Sequence, residues 1–125
     1  MIDVEYLDIE DVVEMIRILG IGPIRDICLF DSAVNRPRSS AFGDDAYQTM
    51  KLKAAALLHS VTMNHALVDG NKRLAWLCTV VFCDLNDLTP DLTDDEAFQL
   101  VWDIASSAID ATTIADRLRL SPLPA

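Results

Sequence analysis

Residues 65 to 73 read HALVDGNKR and gather a histidine, an aspartate, a glycine, an asparagine and two cations into nine positions. His65 carries the group that is nearly neutral at physiological pH, so it is the proton acceptor of the cluster. Asp69 is a hard oxygen ligand of the kind Mg²⁺ takes together with phosphate oxygens. Gly70 can take the left-handed backbone conformation needed for a sharp turn into a helix starting at about Asn71. The first turn of such a helix has unpaired N–H groups and a partial positive charge, which together make an anion site.

Lys72 and Arg73 fall in that first turn, where a cation opposes the helix dipole at a cost of about 0.3–1 kcal/mol. Local helix stability therefore gives no reason for them. An anion over the helix start reverses the sign, with the guanidinium gripping phosphate oxygens in pairs and the ammonium acting as a point charge. Taken singly, each residue also suits a plainer role: His65 as a helix cap, Asp69 and Asn71 as turn formers, Lys72 and Arg73 as solvated charges. Their concentration in one short stretch favours a phosphate site.

The flanking sequence is what must position these groups. The stretch from Ala46 to about Asn64 has no glycine or proline, and Met50, Ala54, Leu57, Leu58 and Val61 share one broad face, which predicts a central helix. A second helix is expected from Asn71 to Leu85, apolar nearly all round and hence mostly buried. The short connection makes the two antiparallel neighbours, with His65 and Asp69 beside the start of the second. Upstream, Asp8 can cap IEDVVEMIRIL and Gly20 can end it, while GIGPIRD reads as a turn and ICLFDSAVNR as a short helix stopped by Pro37. RPRSSAFGDDAY is expected as an exposed loop. Thr93 and Glu96 form a capping box for a further helix, and TTIADRLRL predicts a last short one. No alternating strand of useful length is evident, so the fold class is all-α.

The chain has 125 residues, 51% of them hydrophobic, with four glycines and five prolines, which fits a single domain over 1–125. Ten basic residues against twenty acidic ones give a net charge of −10, which excludes nucleic acid and anionic membranes as general partners. An anionic ligand then needs a local cation cluster. No segment reaches the roughly 20 apolar residues of a membrane span, and the acidic first fifteen residues are unlike a secretion signal, so a cytoplasmic location is expected. Cys28, Cys78 and Cys83 lie in apolar contexts without metal-ligand spacing and are expected to be buried thiols. His59 is expected at the edge of the core, on a different helix face from His65. Arg36 and Arg38 form a second basic cluster, available either to a phosphate or target segment or simply to solvent.

HALVDGNKR resembles the motif of the Fic/Doc family, H-x-F-x-[D/E]-G-N-[G/K]-R. It agrees at His65, Asp69, Gly70, Asn71, Lys72 and Arg73, with Leu67 in place of the phenylalanine. The flanking helices and the RDICLFDSAVNRPRSSAFGDDAY segment resemble the death-on-curing toxins of this family over nearly the whole chain. The resemblance implies an all-helical bundle with the motif loop between two central helices, and a nucleotide-dependent transferase acting on a protein hydroxyl. It makes His65 the general base, Asp69 the Mg²⁺ ligand, Gly70 part of a backbone anion hole, and Asn71, Lys72 and Arg73 phosphate holders, with ATP as co-substrate.

Lys72 matches the Doc-like branch, where AMP-transferring members have glycine, and Trp76 stands where those members carry a second arginine. The Doc-like branch implies a protein kinase moving the γ-phosphate of ATP to elongation factor Tu or a similar translation factor, held silent by a cognate antitoxin whose helical segment fills a groove near the active site. AMP transfer on the same scaffold and a catalytically degenerate, antitoxin-binding or regulatory protein are the alternatives. The resemblance also places Arg36 and Arg38 in the segment that lies over the active site and aligns the target.

Overall fold

The computed structural model describes residues 3–124, and its helices follow the caps and periodicities of the sequence. Helix α1 (Ile9–Leu19) starts at a reciprocal capping box between Asp8 and Asp11 and ends at Gly20, whose φ of 66° takes the left-handed conformation. Helix α2 (Ile27–Asn35) is capped by Asp26, whose carboxylate accepts from the Leu29 N–H at 3.0 Å, and it passes at Pro37 into one 3₁₀ turn, Arg36–Arg38.

The segment expected as a loop folds into a small hairpin. Strands β1 (Ser40–Ala41) and β2 (Asp44–Asp45) pair antiparallel across a tip formed by Phe42 and Gly43, all exposed. Helix α3 (Met50–Met63) starts four residues later than its composition suggests, because the Thr49 hydroxyl accepts from the Leu52 N–H at 3.2 Å and sets the first turn there. Helix α4 (Asn71–Leu85) has the expected bounds.

A second short strand pair lies within this mostly helical fold. Strand β3 (Leu88–Pro90) pairs antiparallel with β4 (Leu120–Pro122), Thr89 opposite Ser121. Three residues per strand are too few to show an alternating pattern, and the last predicted helix gives up its final two residues, Arg119 to a turn and Leu120 to this pairing. Between them come α5 (Asp94–Ser106), begun by the Thr93/Glu96 capping box, and α6 (Ala111–Leu118), capped by Asp110. Arg119, at φ 48°, turns the chain out of α6 and into β4.

Helix α3 is the axis of the bundle, packed against α2, α4, α5 and α6. It is buried nearly all round, not on one face: Ala54, Ala55 and Ala56 let neighbours approach from several sides, and Lys53, Ser60 and Thr62 are also buried. Lys53 is fully enclosed, its ammonium 3.1 Å from the Asp45 carboxylate and 5.4 Å from the Tyr6 ring centroid. Burial pulls its pKa down, but Tyr6 and Asp45 outweigh that, and the net direction is up. In α4, Leu74, Ala75, Cys78, Phe82 and Cys83 are buried, and one continuous apolar cluster joins them to α1, α2, α3, α5 and α6.

The thiols divide. Cys78 and Cys83 are buried as expected, and burial pushes both up to about 12. Cys28 is exposed: α2 is short enough to bury one stripe, Phe30, Ala33 and Val34, and Cys28 lies off it. His59 sits half-buried at the core edge. Among the described residues no helix is long and apolar enough to cross a membrane.

Candidate active site

The motif loop begins where α3 ends. Asn64 caps the helix, His65 turns the chain at φ 49°, and Gly70, at φ 91°, turns it again into α4. Between these turns Ala66 and Leu67 point into the core, Leu67 being 1% exposed, while His65, Val68 and Asp69 face solvent. Leucine therefore fills the anchoring position in the loop.

Two sets of bonds hold the loop in shape. The first comes from the α1–α2 connection, residues 20–26, which runs antiparallel beside it. Gly22 N–H donates to Asp69 O at 3.1 Å, Val68 N–H to Pro23 O at 3.0 Å, and Arg25 N–H to Ala66 O at 2.7 Å, with Ile24 paired opposite Leu67. The Arg25 guanidinium also donates to the carbonyl of His65. The second is internal: Asn71 Oδ1 accepts from Leu67 N–H and Asn71 Nδ2 donates to Leu67 O, both at 3.0 Å. Asn71 thus shapes the loop with its side chain.

Gly70 is required twice. Its positive φ disfavours a side chain, and a Cβ there would lie 2.6 Å from Cβ of Ile21. Of the six α-helices among the described residues, α4 is the one whose N-cap makes no side-chain hydrogen bond. Its first-turn N–H groups meet no capping carboxylate or hydroxyl, and Lys72 and Arg73 stand in that turn in place of acids.

A cavity of about 340 Å³ opens over this helix start, lined by His65, Asp69, Gly70, Asn71, Lys72 and Arg73 together with Thr62, Val68 and Ala105. Arg73 and Asp69 approach to 3.9 Å with both side chains largely exposed, a pairing weak enough for a ligand to replace. The Lys72 ammonium lies 5.6 Å from the ring centroid of Trp102, on α5. Lys72 and Arg73 also border a second, apolar groove of about 670 Å³ lined by Leu19, Trp76, Leu77, Phe98 and Trp102 among others.

Residues 6–83 match the family model described as the Fic/DOC family. This chain belongs to the Fic/DOC family. Over 118 residues it is 44% identical to Toxin Doc of Mycolicibacterium smegmatis, with 91% of each protein covered. The family match runs from the segment before α1 to the last turns of α4, so α5, which supplies Ala105 to the cavity and Phe98 and Trp102 to the groove, lies outside it.

Within this Fic/DOC site Asp69 is the single carboxylate lining the cavity, and no group of three His, Cys, Asp or Glu side chains among the described residues is placed to hold a metal by itself. That donor set fits Mg²⁺ arriving with a polyphosphate, whose oxygens supply the remaining ligands. Arg36 and Arg38 are not brought to the cavity. Arg36 Nε donates to the Tyr47 hydroxyl at 2.7 Å, and Arg38 donates to Leu7 O at 2.9 Å with its guanidinium 4.9 Å from the Tyr6 ring centroid. Both arginines fasten the hairpin segment to its surroundings. Sequence reasoning missed Thr62 and Ala105 in the cavity wall and Arg25 behind His65. The run GIGPIRD had signalled a turn, but nothing local in it signals pairing with the motif loop.

Proposed function

We propose that this protein is a Doc-like toxin: a protein kinase that moves the γ-phosphate of ATP to a hydroxyl of a translation factor resembling elongation factor Tu. The observation that carries this reading is Lys72 in the first turn of an uncapped α4, at the cavity that also holds His65 and Asp69. A bulky cation occupies the place where AMP-transferring relatives have glycine, and Trp76, one turn on, occupies that of their second arginine. Both features favour a nucleotide seated with its terminal phosphate toward the attacking hydroxyl.

In this reading the α4 N–H groups, Lys72 and Arg73 bind the phosphates, and exposed His65 takes the proton of the incoming hydroxyl. The hydroxyl oxygen bonds to the γ-phosphorus as the bond to the β-phosphate oxygen breaks, and ADP leaves. His65 then returns its proton to solvent. Asp69 would hold Mg²⁺, which when bound would supply charge neutralisation for the phosphates. Positioning accounts for most of the rate, and the double bracket on the motif loop supports that. Buried Leu67 and its intact hydrogen bonds also weigh against a degenerate protein, since the loop is built despite the missing phenylalanine.

Control is assigned to a cognate antitoxin whose amphipathic helical segment lies in the apolar groove between α4 and α5. That groove opens beside Lys72 and Arg73, so its occupant reaches the phosphate site. The kinase reading is tested by incubating the protein with a translation extract and ATP. A target mass increase of roughly 80 Da is expected for phosphate, whereas roughly 329 Da would establish AMP transfer instead.

A further inference from the structure

Thr62 sits in the last turn of α3, 1% exposed, and its Oγ1 is the buried side-chain oxygen that has no hydrogen-bond partner among the described residues. The other buried hydroxyls are satisfied in the ordinary way. Ser60 donates to Ala33 O at 2.8 Å, and Thr79 donates back to Ala75 O at 2.8 Å, four residues earlier on its helix. Thr62 makes no such back-bond and instead lines the motif cavity beside His65, Gly70 and Asn71. Buried polar groups are nearly always paired, so an orphan in a cavity wall indicates a partner that enters the cavity.

The chemistry of that cavity selects the partner. A hydroxyl can donate or accept, and beside the one carboxylate, Asp69, and the exposed His65, the polar groups lining the cavity are donors and cations: the α4 N–H groups, Lys72 and Arg73. They call for an anion, and toward an anion a hydroxyl donates. A target hydroxyl would approach from the solvent side, where His65 is exposed, whereas Thr62 is enclosed and is reached by the most deeply seated group. We propose that Thr62 contacts the ligand directly, its hydroxyl donating to an oxygen of the phosphate group seated over the start of α4. This rests on the nucleotide-binding reading above and adds to that site a residue from α3 outside the HALVDGNKR run.

The test is calorimetric titration of the full-length protein with MgATP, alongside thermal melts without ligand. Thr62→Val keeps the shape and removes the hydroxyl, Thr62→Ala removes it by truncation, and Thr62→Ser keeps it. The expected result is MgATP affinity lowered about tenfold in Thr62→Val and Thr62→Ala and recovered to within about twofold in Thr62→Ser. Ligand-free Thr62→Val should melt no lower than wild type, since it loses only an unpaired buried hydroxyl. Wild-type affinity in Thr62→Val overturns the inference while leaving the nucleotide site standing, and so does an equal loss in Thr62→Ser, which would make the requirement one of shape. If the wild-type protein takes up no MgATP, the nucleotide reading and this inference fall together.

Discussion

The side chain of Asn71 and the backbone of Leu67 form a closed two-bond bracket, each bond 3.0 Å, that spans the turn at Gly70. The arrangement explains an asparagine at the first position of α4 by loop geometry, before any ligand is considered. Asn71→Ala removes both partners and is expected to destabilise the fold by about 1–3 kcal/mol. Asn71→Asp keeps the acceptor for Leu67 N–H but turns an oxygen toward Leu67 O, so it should be no better than alanine. Denaturant midpoints measure the first effect, and amide exchange at Leu67 locates it. Unchanged protection at Leu67 in Asn71→Ala would dissolve the bracket.

Gly70 faces Ile21 across the α1–α2 connection, and the two account for each other. Gly70→Ala combines an unfavourable positive φ with a Cβ 2.6 Å from Ile21 Cβ, and a loss of more than about 2 kcal/mol is expected. Ile21→Ala alone costs less, being a truncation of a half-buried chain. In the double variant the clash is relieved and the backbone strain stays, so the combined loss should fall short of the sum by at least about 0.5 kcal/mol. Simple additivity in a double-mutant cycle would show that packing against Ile21 is not what excludes a side chain.

What could be read from the sequence was local. Capping residues Asp8, Thr93 and Gly20 marked helix ends because each bonds within its own turn, and the chemistry of HALVDGNKR placed a loop between two central helices. What escaped was long-range. The pairing of Pro23 and Arg25 with Val68 and Ala66 joins backbones some 40 positions apart and leaves no side-chain pattern. Nothing local marks Lys53 for burial, which depends on Tyr6 and Asp45 arriving from other segments. Thr62 carries no signal at all, since a threonine in an apolar helix ordinarily bonds back along its own turn. The two bonds from Asn71 to Leu67, by contrast, are local and suit the turn-forming role that the sequence also allowed it.

The three thiols should titrate as one plus two. Cys28 is exposed, and it should react with a disulfide reagent in the native protein within minutes at pH 8. Cys78 and Cys83, buried and pushed up to about 12, should react only on unfolding. A native count of two or more reactive thiols would contradict the burial of α4.

His59 provides a pH handle on stability. Burial lowers its pKa from the ordinary 6.5, and the nearby charge of Arg36 lowers it further. The unfolded chain therefore binds the proton more readily than the folded one. The neutral-ring contribution is complete above about pH 6.5 and is lost as pH falls through the lowered folded value. Glu96, Asp103 and Asp110, also lowered, act in the same direction at more acidic pH, held down respectively by the Thr93 backbone, Gln99 and the Thr113 backbone first of all. His59→Gln should flatten the stability profile just below about pH 6.5 and leave the acid limb intact. Urea midpoints across that range check it, and an unflattened profile would remove His59 as the cause.

His65 and Lys72 should fail in different ways if the first moves a proton and the second holds phosphate. His65 is exposed, and its imidazole accepts no structural hydrogen bond from the described residues, so His65→Ala should keep the fold and bind MgATP within about twofold of wild type. Its transfer rate should drop by about 10²–10⁴-fold, the usual worth of a positioned general base. Lys72→Ala removes a charge from the phosphate end and a cation from the Trp102 face, so MgATP affinity should fall about tenfold or more. Growth arrest on expression should be lost in His65→Ala. Arrest that persists there would refute transfer as the toxic event, whereas loss of arrest with equal loss of nucleotide binding in both variants would merge the two roles into one.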